Sequence, residues 1–132
     1  MERASPYLLA GVLVGAGVTH FLKPGFYDPM VPELLPGSAR AWTYGSGVAE
    51  LAVGSAVAAP GTRRWAALTA AALFVAVFPA NIKMALDADS SAERFFSYAR
   101  LPLQLPLVVW AWRLHTREKR CTPSPSGHDA PV

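Results

Sequence analysis

Four apolar stretches, about Ser5 to Leu22, Ala39 to Ala59, Arg64 to Leu86 and Phe95 to Leu114, constrain this chain more than any other feature. Each is about 18 to 23 residues long. As helices they reach roughly 27 to 34 Å at about 1.5 Å per residue, close to the ~30 Å of a bilayer's hydrocarbon core. Between them stand KPGFYDPMVPELLPGS, the turn Pro60-Gly61-Thr62 and the polar DADSSAER, which carry the prolines, glycines and charges of a chain re-entering water. With 52% hydrophobic and 16% charged residues, the chain has too little polar surface to cover a soluble core. The expectation is an all-α, four-transmembrane-helix bundle in residues 1–114, followed by a polar, disordered cytoplasmic tail in 115–132. The apolar N-terminal run lacks a convincing small-residue cleavage site and is read as a retained first span.

Lysines and arginines collect on cytoplasmic flanks, and with the N-terminus inside those flanks hold Arg3, Arg63, Arg64, Arg113, Arg117, Lys119 and Arg120. The other ends hold Lys23, Arg40, Lys83 and Arg94. Both termini are therefore expected in the cytoplasm and the chain in the inner (plasma) membrane as a multi-pass protein. The basic run from Arg117 to Arg120 fits contact with anionic membrane lipid at that exit, so nucleic acid is set aside as a partner.

Ionisable and amide groups inside apolar spans need partners. Counted from the outer ends at about 1.5 Å per residue, His20 and Asn81 come out within about a turn of the surface, Arg100 about 8 Å in, Gln104 about 14 Å and Glu50 about 16 Å. All five fall in the outer half of the membrane although they come from four helices. Opposite charges at similar depth imply a Glu50–Arg100 ion pair, with His20, Asn81 and Gln104 completing one buried polar network. Pro79, Pro102 and Pro106 remove helix hydrogen bonds nearby and predict kinks that widen a cavity under the proline-rich first loop. Such a network either fixes helix register or binds a small or amphipathic ligand, with Glu50 or His20 exchanging a proton. Gly11 and Gly15 form a GxxxG on the first span, and Gly47, Glu50 and Gly54 share a face of the second, so close helix packing is expected at both.

The sequence offers no nucleophile–base pair, phosphate loop or metal-ligand cluster, and catalysis by this chain alone is not expected. The lone Cys121 excludes a dithiol relay within one chain. A membrane carboxylate also suits a small proton-coupled transporter, but an arginine neutralising Glu50 would make cation binding unattractive.

The segments THFLKP (Thr19–Pro24), YDPMVPELLP (Tyr27–Pro36), SGVAEL (Ser46–Leu51), FPANIKMA (Phe78–Ala85) and RLPLQ (Arg100–Gln104) together resemble the DoxX-like family of small four-helix membrane proteins, from about Gly11 to Trp112. The resemblance implies that His20, Glu50, Asn81, Arg100 and Gln104 stand at the family's recurring polar positions. Members of the wider family are linked to quinone-coupled sulfur oxidation and to membrane oxidoreductase complexes, and distant animal relatives look like receptor-assembly chaperones. On that basis the chain is expected to be a subunit or ligand-binding module of an oxidoreductase-linked membrane assembly, with a chaperone-like or purely structural role as the alternative. Its expected partners are membrane lipid and other membrane subunits or further copies of itself. No cofactor is predicted, a quinone or a lipid being the compatible class of small molecule.

Overall fold

The computed structural model describes residues 3–121, and among them it is all-α, without a strand. Helix α1 covers Ser5–Leu22, the short α2 Pro24–Tyr27, α3 Ala39–Ala58, α4 Arg63–Ala76, α5 Phe78–Leu86 and α6 Ser91–Cys121. The first loop is more ordered than its prolines suggest, because α2 continues directly into a 3-10 turn, Asp28–Met30. Gly37, at φ +91°, turns the chain into Ser38, whose hydroxyl accepts the Ala41 N–H and caps α3. The third apolar stretch is broken at Val77: Pro79 sits in the first turn of α5, where its missing N–H costs no hydrogen bond. By contrast α6 continues through both Pro102 and Pro106.

Two stretches, Ser5–Leu22 and Arg63–Leu86, are long and apolar enough to cross a membrane. Only about a third of each is buried inside the molecule, so most of their apolar surface faces outward. Helix α1 packs against α3, α3 against α4, and α4 and α5 against α6. At one end the core is apolar, built from Leu9, Leu13, Val57, Ala67, Ala70, Phe74, Ala111 and Leu114. At the other end most buried residues are polar, His20, Thr43, Glu50, Asn81, Ser97 and Gln104, beside Met30 and Ala85.

Two sequence expectations need correction. Helix α6 does not stop near Leu114 but runs to Cys121, held by the His115 ring, which donates from Nδ1 to the Arg64 carbonyl at 2.9 Å, and by Glu118 at 3.8 Å from Arg63. Residues 115–121 are thus helical, and the rest of the expected tail lies outside the described residues. Close helix packing also avoids Gly11 and Gly15, beside which a Cβ would meet nothing. It falls at Gly47 and Gly54, as expected for the second span, and at Gly17, where a Cβ would stand about 3 Å or less from the facing helix.

Candidate functional site

The site begins with the approach of α1 to α3. A Cβ on Gly47 would lie 2.9 Å from the His20 Cβ and 2.7 Å from the Phe21 ring, so only glycine lets this turn of α3 reach α1. The approach sets His20 against Glu50, three residues further along the same buried stripe of α3. His20 Nδ1 is 2.8 Å from the Ala16 carbonyl and 3.2 Å from Glu50 Oε2. A carbonyl can only accept, so Nδ1 carries a proton and donates it to Ala16. Glu50 Oε2 lies against the same nitrogen without an aligned hydrogen bond, held in this buried salt bridge by charge and by the N–H dipole. Tyr27 closes the pair from the loop side, stacking on the imidazole at 3.8 Å, with its hydroxyl 2.7 Å from Thr19 Oγ1.

Asn81 and Gln104 form a second group between α5 and α6. Asn81 Nδ2 donates to Gln104 Oε1 at 3.1 Å, and Gln104 Nε2 donates to the Phe74 carbonyl at 2.6 Å. That carbonyl lies in the last turn of α4, where the break at Val77 interrupts the helix ladder, so Gln104 supplies a donor at the break.

The expected Glu50–Arg100 pair does not form. Arg100 is exposed and makes no ion pair or hydrogen bond among the described residues, although it lies within electrostatic reach of His20. The reason is which helices are neighbours. Helix α3, which carries Glu50, packs on α1 and α4, whereas α6, which carries Arg100, packs on α4 and α5, so the two helices do not pack on each other. The five predicted residues therefore separate into a His20–Glu50 pair, an Asn81–Gln104 pair and an unpartnered Arg100.

Arg100 lines a cavity of about 630 Å³ between the first loop, the end of α5 and the start of α6. Phe26, Met30, Met84 and Phe96 give it apolar walls, and Asp87, Asp89 and Glu93 stand around it. Asp87 is taken by Lys83. Glu93 caps α6 by accepting the N–H groups of Asp89 and Ser90, which hold its carboxyl below the usual range, that of Ser90 foremost.

The loop that closes this cavity is anchored at two points. Asp28 accepts from Thr43 Oγ1 at 2.7 Å and from Arg40 Nε at 2.8 Å. The Thr43 hydroxyl foremost, with Arg40 adding to it against the cost of partial burial, holds the Asp28 carboxyl below its usual value of 3.8. Lys83 Nζ donates to the Pro29 carbonyl at 2.9 Å and ties the other side of the loop to α5. Sequence reasoning about the spans missed Tyr27, Asp28, Thr43 and Lys83. Their signal lay in the Tyr-Asp-Pro run of the loop and in a threonine and a lysine at span ends.

Among the described residues, no group of three or more histidine, cysteine or acidic side chains is placed to hold a metal ion. No curated protein and no solved structure shows significant similarity to the chain. Residues 9–115, most of its length, match a domain of unknown function, DUF8561, and the chain belongs to that family.

Proposed function

We propose that this member of the family is a four-span membrane bundle of the DoxX-like type, with both termini cytoplasmic, that binds a small amphipathic molecule in the cavity under its first loop. In this reading it serves as the ligand-binding subunit of a larger membrane assembly. The observation that carries the ligand reading is Arg100, a guanidinium without a hydrogen-bond or ion-pair partner among the described residues, in a cavity walled by phenylalanine and methionine. A charge left over after the neighbouring polar groups have satisfied one another is available to a ligand.

The membrane reading draws on the outward apolar surface: Leu8, Leu22, Val48, Val75, Phe95, Leu103 and Leu105 are all exposed, and they come from each of the long helices. The basic residues support the orientation. Arg63, Arg64, Arg113, Arg117, Lys119 and Arg120 gather at the apolar-core end, where Arg63 donates to the carbonyls of Val57 and Ala58 at the end of α3. Contact with another subunit has room on α1, since Gly11 and Gly15 leave a smooth strip that none of the described residues covers.

The test is native mass spectrometry of the chain purified from membranes in mild detergent. A bound lipophilic mass is expected on the wild type and lost on Arg100→Gln. An empty wild type, or the same mass on both proteins, contradicts the reading.

A further inference from the structure

The charges around the cavity narrow what it can hold. Arg100 is the one cation among its lining residues, against three carboxylates, Asp87, Asp89 and Glu93. Lys83 compensates Asp87, which leaves two carboxylates facing one guanidinium. A simple anion drawn to Arg100 would have to pass acidic groups that repel it. A simple cation would find those groups but meet Arg100.

The two signs also lie at different levels. Arg100 follows Glu93 by seven residues of α6, about 10 Å along the axis, and Asp89 precedes the helix. With the start of α6 at the membrane surface, the carboxylates stand at the mouth and the guanidinium beneath them. A phospholipid in its ordinary bilayer orientation presents an amine outermost, a phosphate below it and acyl chains below that.

We propose that the cavity binds the headgroup of a zwitterionic phospholipid, its phosphate on Arg100 and its ammonium facing Asp89 and Glu93. The glycerol region packs against Met30, Met84 and Phe96, and the acyl chains run down the outer surface of α6, where Leu103 and Leu105 are exposed. Both charges of the headgroup then meet their opposites in the order in which the lipid carries them. This inference rests on the membrane-embedded reading given above and specifies the ligand of the same site.

The experiment delipidates the full chain in detergent, adds phosphatidylethanolamine, phosphatidylglycerol or oleate at equal concentration, and measures retention of each by native mass spectrometry. Phosphatidylethanolamine is expected to be retained about tenfold better than either anion, the factor that the loss of a charge-assisted hydrogen bond commonly produces. Arg100→Gln should abolish that retention. Asp89→Asn with Glu93→Gln should erase the preference over phosphatidylglycerol, since glutamine still accepts the capping N–H groups. Retention of phosphatidylglycerol or oleate as strong as that of phosphatidylethanolamine overturns the zwitterion. Phosphatidylethanolamine retention that survives Arg100→Gln overturns the site. If the protein from native membranes carries another amphipath that Arg100→Gln removes, the headgroup assignment alone falls and the ligand-binding reading stands.

Discussion

At the scale of single residues, the organising fact is how three ionisable groups divide. Glu50 is buried against His20, and Arg100, which the sequence pairs with that carboxylate, faces a cavity instead. Removing one member of a buried pair strands the other, so Glu50→Leu is predicted to lower stability by about 2–4 kcal/mol, and Arg100→Gln to change it by no more than about 0.5 kcal/mol, in denaturant titrations in detergent. In double-mutant cycles His20 and Glu50 should couple by about 1 kcal/mol, whereas Glu50 and Arg100 should be additive. Strong Glu50–Arg100 coupling would mean that the arginine is not free for a ligand. Residue by residue, the polar end was legible in part. Counting along helices gives depth, and His20, Glu50, Asn81 and Gln104 are indeed buried at one end. Counting along one helix says nothing of which helices become its neighbours, and α6 packs on α4 and α5 rather than on α3, so Arg100 does not meet Glu50.

At the scale of elements, the α1–α3 contact is set by glycine. Gly47→Leu is predicted to destabilise the chain by at least about 2 kcal/mol, because the new side chain meets the Phe21 ring and the His20 Cβ, whereas Gly11→Leu should be nearly neutral in the same unfolding assay. The first loop carries a pH dependence of known sign. Since the Asp28 carboxyl titrates below its usual 3.8 in the folded chain, the stabilisation from its Thr43 and Arg40 bonds is complete above that value and is lost as pH falls through the lower one. Protease cleavage next to Lys23 or Arg40 by an acid-tolerant enzyme should therefore increase at strongly acid pH, and Asp28→Asn should remove the pH dependence of that increase. The apolar runs located the long helices because burial and lipid both select apolar residues. They did not locate the end of α6, since Arg117, Glu118 and Lys119 form helix readily in water and an apolar run ends where its greasy surroundings do. The same limit hid α2, whose four residues are too few to show a period.

At the scale of the whole molecule, one fold goes with one proposed orientation: an apolar-core end with the basic flanks, and a polar end with the cavity and its ordered loop. With both termini cytoplasmic, as proposed, the cavity opens to the outer leaflet. Cys121, the chain's single cysteine, makes the placement directly measurable. A membrane-impermeant maleimide applied to intact cells and to inverted vesicles is predicted to label Cys121 only in the vesicles. Glu33→Cys on a Cys121→Ser background, which puts the thiol in the first loop, should be labelled only in the cells. Labelling of both positions from the same side, or release of the chain from membranes by alkaline carbonate, would contradict the account.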